Sequence, residues 1–283
     1  EMPSTEKSCW FDRLPAKRQA SLRHAEPCIV ALCGLGLTFV MVLAVLDGAT
    51  RSRRRIFQQL ADAHASRIVD AFQNLRNHQL SALSRFCQGA QAMSRDEFRA
   101  FAGPIVREGS IQAIQALAWV PAVPAAEKAA LETTARASGL TDFLIWQRGA
   151  DGRRAPAVRR EVHYPVWLME PLAGNESVLG YDHGAESVRR AALETALHTG
   201  LPTVTDPVTL IMETEKSAGL LVFQPVFSGV PPARVFRGFA LVVLRADSFL
   251  RAGLSGRPSD DMSPQVDLYQ VRPGEPLRHL APS

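Results

Sequence analysis

Four side chains near the middle of the chain have the chemistry to hold a small molecule: Glu161, Trp167, Met169 and Thr205. Glu161 stands just before an apolar run. A carboxylate there accepts hydrogen bonds from an amine or other N–H at the mouth of a pocket, although beside Arg159 and Arg160 it also reads as a solvated strand end. Trp167 and Met169 fall on one face of an extended strand and suit a pocket wall or an ordinary core. Thr205, ahead of Asp206 and Pro207, offers its hydroxyl to the same space or to the turn that it begins. The pair Asp182-His183, with His163 and His198, invites a metal or catalytic reading. The three histidines lie 20 and 15 residues apart, which matches no compact ligand set, so surface or hydrogen-bonded core histidines are expected and no metal site. The sequence contains no G-x-S-x-G elbow, phosphate loop or H-E-x-x-H pair. No catalytic residue is therefore assigned, and no cofactor is expected.

The elements that position these residues follow from periodicity. From Arg51 to Met93 there is no proline and one glycine, and apolar residues recur at Leu60, Ile68, Phe72, Leu75, Leu83, Phe86 and Ala90. This helical stripe predicts a helix of about 65 Å, which must pack on a partner copy or along its own head. His64 and Gln79 interrupt it, so a strict coiled coil is not expected. Ser94 to Glu97 forms a capping box, and the short helix it opens is expected to end near Gly103 and Pro104. Strands are expected at 111–120, 143–147, 162–169, 203–212, 220–227, 236–244 and 265–271, with helices at 124–137, 186–199 and 247–252. Gly149 to Gly152 and the segment 228–234 read as turns. Few strands are joined by regular helical crossovers, and this predicts an α+β domain built on an antiparallel sheet.

Cys28–Leu46 is a run of nineteen residues with no charge, enough nearly to cross a hydrocarbon core of roughly 30 Å. Its apolar core exceeds that of a signal peptide, and Asp47 spoils the nearby small-residue site, so an uncleaved transmembrane helix is expected. Basic residues flank it on both sides, at Lys17, Arg18 and Arg23 and at Arg51, Arg53, Arg54 and Arg55. Charge alone therefore nearly balances its orientation. Much of the net charge of +4 sits there, where it suits lipid headgroups, and nothing marks a nucleic-acid partner. Of four cysteines only Cys87 falls beyond the anchor, so no internal disulfide is expected there, and a buried, inert thiol is. The chain starts at Glu1 and stops at Ser283 without a second apolar span, and a fragment is expected.

Seven elements in order resemble the CHASE domain, a sensor of histidine kinases, nucleotide cyclases and diguanylate cyclases. They are Ala118 to Pro121; Tyr164 to Val166; Glu170-Pro171; Gly180 to Asp182; the helix Arg189–Gly200; Thr205 to Pro207; and the pair Phe223 to Val226 with Gly238 to Val243. The resemblance covers about 90–250. It implies a long stalk helix carrying PAS-like lobes outside the cytoplasmic (inner) membrane, with ligand held in the membrane-distal lobe. Plant relatives bind adenine-type cytokinins through a carboxylate that aligns near Glu161 and a small polar residue near Thr205; Glu161 is longer than the aspartate of that pattern. The expected organisation is a cytoplasmic tail at 1–27, a transmembrane helix at 28–46 and a stalk helix at 47–93. A sensor domain at 94–250 and the start of an incomplete membrane-proximal lobe at 251–283 follow. The expected protein is the ligand-sensing part of a membrane receptor of histidine kinase or diguanylate cyclase type, not itself an enzyme, binding an unknown small molecule and pairing as a homodimer through its stalk. A membrane-tethered extracytoplasmic hydrolase with an unrecognised site is the alternative.

Overall fold

The computed structural model describes residues 16–89, 93–108, 113–211, 218–230, 232–254, 266–271, 274 and 276–282. Ala90, Ile111, Met212, Gln265 and the first fifteen residues, Cys9 among them, lie outside that set. The chain divides into two compact units, Glu1–Ala63 and His64–Ser283. The first is helical from Ala16. Its segment Val30–Gly48 is exposed throughout and is long and apolar enough to cross a membrane by length and composition.

In the second unit, helix α1 (Ala16–Asn74) continues through a π turn at Leu75–Leu80 into α2 (Ser81–Gly89). Its inward-facing residues explain the turn. His64, Ile68, Ala71 and Leu75 follow one another at α spacing, and Leu80, Leu83 and Cys87 do so again, but Leu75 to Leu80 is a step of five. The wider i→i+5 turn absorbs the extra residue and keeps one apolar face on the core. Burial pushes the Cys87 thiol up to about 12, so it is inert, as expected.

Helix α3 (Arg95–Glu108) opens on the expected capping box: Ser94 N donates to Glu97 Oε2 (2.9 Å), and Glu97 N donates to Ser94 Oγ (3.2 Å). It runs past Pro104 rather than ending there. The proline forfeits one helical bond, but Ala102, Ile105 and Val106 pack against the core, and that burial wins.

Strands β1 (Ile114–Pro121) and β2 (Val123–Pro124) follow, then α4 (Lys128–Ala137). Pro124 belongs to β2, paired with β5 (Val162–His163), so the helix begins four residues later than expected. A hairpin joins β3 (Trp146–Arg148) to β4 (Arg154–Pro156) across the expected turn. The strand expected over 162–169 is broken into β5 and β6 (Leu168–Glu170). Between them the backbone bonds to a loop instead of a strand: Val166 N donates to Tyr181 O (3.0 Å) and His183 N to Tyr164 O (3.0 Å). Pro165 has no amide to offer a ladder.

Helix α5 (Ser187–Thr199) ends at Gly200, whose φ of 70° suits glycine. The strand expected over 203–212 is likewise split, into β7 (Thr203–Val204) and β8 (Val208–Thr209), by Asp206 and Pro207. The long strands β9 (Ala218–Ser228) and β10 (Val235–Arg245) precede α6 (Ala246–Leu254) and a terminal hairpin, β11 (Asp267–Gln270) with β12 (Arg278–Pro282).

Six strands make the main sheet, ordered β6-β1-β10-β9-β7 with β8 also on β9, and every pairing is antiparallel. The architecture is therefore α+β, as expected. Both faces of the sheet are covered, which is why β9 and β10 read as nearly continuous apolar runs. Leu117, Trp119, Leu168, Val222, Val242 and Leu244 face Leu75, Leu80, Leu83 and Phe98 on the helices. The opposite face, with Ala118, Met169, Phe223, Leu241 and Val243, packs under α5 and the loops before it.

Candidate ligand-binding site

The opposite face is where polar side chains enter the core. In the sheet register Met169, Ala118, Leu241 and Phe223 stand in a row. Over them lies the loop 180–184, shaped by Gly180. Its φ is 79°, and a Cβ there would collide with Leu144 O; glycine alone takes that backbone without strain. Asp182, with no exposed surface, fastens the loop: its Oδ1 accepts from Tyr164 N (2.9 Å) and Gly184 N (3.0 Å), and its Oδ2 lies 2.8 Å from His163 Nδ1. Arg160 Nη1 approaches the same carboxylate at 3.6 Å.

With the loop so held, His183 points inward. It is 3 % exposed and meets Tyr181 and Phe223 edge-on, at ring separations of 5.5 and 5.2 Å. Neither ring nitrogen has a hydrogen-bond partner among the described residues. Burial, with the Arg189 charge adding to it, drives its pKa well below the usual histidine value, so the ring is neutral, with one N–H donor and one acceptor. Arg189, in the first turn of α5, is 5 % exposed. Its guanidinium donates to Tyr181 Oη (3.1 Å), to Glu186 Oε2 (3.1 Å) and to Thr209 O (3.0 Å), while Nε has no partner among the described residues. Glu186 caps α5 and so fixes where that arginine sits. His183, Arg189, Met169, Leu221 and Leu241 are among the walls of one cavity of about 20 Å³, room for a water molecule. Three buried nitrogens without partners in one place are unusual in a native interior, where most such groups are bonded.

The four residues expected at a site are dispersed. Met169 lines this cavity. Thr205 is buried next to it, its Oγ1 accepting from Leu221 N (3.2 Å) and its own amide donating to Leu221 O (2.9 Å). Trp167 stacks edge-on with Phe143 at 5.5 Å and borders a groove with Glu170 and Phe98. Glu161 is exposed and lines a separate cleft of about 250 Å³ together with Arg160, Tyr164, Arg190 and Glu194. Sequence reasoning missed His183 and Arg189. Asp182-His183 carries a signal, read as a metal or catalytic pair, and Arg189 enters the sequence reading only as the start of a helix. Among the described residues no cluster of three His, Cys, Asp or Glu side chains could hold a metal ion. The Asp182–His163 pair has the form of a base and its orienting carboxylate, but the cleft bordered by His163 is lined by no hydroxyl or thiol.

One antiparallel sheet, covered by helices on one face and carrying on the other a small, mostly apolar cavity bordered by His183 and Arg189, defines this α+β domain. The family profile of the CHASE domain matches residues 91–277, more than half of the chain, and the chain belongs to the CHASE domain family. It is thus an extracytoplasmic sensor region of the kind carried by signalling receptors. No individual curated protein matches it.

Proposed function

We propose that the chain is the ligand-sensing region of a membrane-bound receptor of the histidine kinase or diguanylate cyclase type, with a PAS-like head outside the cytoplasmic membrane and Val30–Gly48 as its span. The observation that carries the ligand site is the set of partnerless nitrogens at His183 and Arg189. The ligand is a small molecule that presents an acceptor to Arg189 Nε–H and a complementary polar edge to neutral His183. The cavity must widen to admit it, and unbranched Met169 is the wall best able to yield. Thr205 acts by fixing Leu221, which lines the cavity; Glu161 and Trp167 stand at the neighbouring openings.

The exposed residues Ile56, Phe57, Leu60 and Val69 of α1 support pairing of two copies along this helix as a stalk. Phe57→Asp should then shift the solubilised chain from dimer toward monomer on gel filtration, and a parent that already runs as a monomer refutes the pairing. Ligand bias would pass along the same helix as a population shift.

The ligand test is a thermal-shift screen of small amines, purines and carboxylates on the detergent-solubilised chain. A hit at a hundred times its Kd adds about 2.7 kcal/mol to the parent. His183→Phe should fold and lose that response. A hit that stabilises parent and variant alike removes the cavity from the reading.

A further inference from the structure

A second opening lies on the outer side of Asp182. The start of α4, the end of β5 and the segment leading into β5 surround a cleft of about 240 Å³ lined by Ala125, Ala126, Lys128, Ala157, Arg159 and His163. No carboxylate is among these residues, and three of the six are basic. His163 is 1 % exposed and is held through Nδ1 by Asp182. Among the described residues its ring bonds only through Nδ1, which leaves Nε2 as the ring nitrogen available to the cleft that His163 lines. Asp182 holds the Nδ1–H tautomer, so Nε2 is an acceptor in the neutral ring and a donor once the ring takes a second proton. Lys128 donates to Ala157 O (3.0 Å) and keeps two further N–H groups. Helix α4 begins after Glu127, whose side chain makes no capping bond to its first amides.

We propose that this cleft binds a small oxyanion: a sulfate, phosphate or carboxylate group held by Lys128, Arg159 and His163 Nε2 at the start of α4. A buried histidine nitrogen, two cations and an uncapped helix start all favour negative charge. The site is independent of the His183 cavity but shares a part with it. The carboxylate that orients His163 also caps the turn carrying His183, through Gly184 N at 3.0 Å.

The test is calorimetric titration of the full solubilised chain with sodium sulfate, against sodium chloride at matched ionic strength. Saturable binding of sulfate is expected. Arg159→Ala and Lys128→Ala should each weaken it about tenfold, Arg159→Ala without lowering the melting temperature and Lys128→Ala with the small loss expected from its bond to Ala157 O. Arg153→Ala, which removes an exposed arginine that is not among the cleft's lining residues, should leave affinity unchanged. A titration with no saturable heat overturns the proposal, as does an Arg153→Ala effect as large as that of Arg159→Ala. Since His163→Gln touches a buried pair, its folding is checked by circular dichroism. A folded His163→Gln chain that binds sulfate as tightly as the parent also overturns it.

Discussion

The two faces of the central sheet are built from the same strands and differ in what covers them. Against the helices, Leu117, Trp119, Val222, Val242 and Leu244 meet Leu75, Leu80, Leu83 and Phe98, and the polar groups buried on that side are Glu170, near Arg99 and Arg107 of α3, and His64 of α1. Under α5, the alternate residues of those strands meet Tyr181, and His183 and Arg189 border a cavity on them. A face closed mainly by large apolar side chains serves stability, since each one buried is worth about 1.5–3 kcal/mol. A face that buries a neutral imidazole and a guanidinium nitrogen without partners gives up some of that gain. The difference separates a side closed mainly by apolar contacts from the side that carries the proposed ligand cavity.

The comparison breaks most readily at its apolar half. Leu83→Ala should cost about 2–5 kcal/mol, measured by denaturant unfolding of the solubilised chain; a loss under about 1 kcal/mol would mean that this face is not the close-packed one.

A smaller effect should appear on acidification. The folded pKa of His183 lies well below its ordinary value of 6.5, chiefly through burial. The unfolded chain therefore takes up this proton first as pH falls. Stability from His183 is complete above 6.5 and declines below it at up to about 1.4 kcal/mol per pH unit until the folded value is reached. His183→Phe should flatten that part of the profile, and an unchanged acid slope in the variant would falsify the assignment.

The smallest shift is expected from His183→Phe at neutral pH. It removes two partnerless nitrogens and breaks no hydrogen bond, so stability should stay level or rise by about 1 kcal/mol. A loss of several kcal/mol there would show that the imidazole is bonded after all, and that the two faces are alike.

Much of the frame was legible from alternation and punctuation. The long strands β9 and β10, the capping box at Ser94 and the Gly200 stop of α5 each rest on local chemistry and stand where local chemistry puts them. Apart from the end of α3, which runs past Pro104, the misplaced boundaries share one cause. Pro124, Pro165 and Pro207 each sit in a run that reads as a continuous element, and at each the chain takes partners far away in sequence. The break at Pro165 explains why the four candidate residues separate: the backbone between Glu161 and Met169 leaves strand geometry to pair with 180–183, so alternation cannot carry one face across it. The burial of His183 and Arg189 is decided by that pairing and by the Glu186 cap, and neither can be counted from residue types.

The π turn at Leu75–Leu80 means that this helix contains one residue more than its contacts require. Removing any one of Arg76, Asn77, His78 or Gln79 would reduce the Leu75–Leu80 step from five to four and let the ladder close as ordinary α-helix. Both stretches of buried residues would stay on the core. The same deletion anywhere else along Ile68–Cys87 would turn one stretch by about 100° and expose it. The helix thus has a single place where its length can change by one residue without changing which side is wet, and a scan of one-residue deletions would find it as a lone tolerated window.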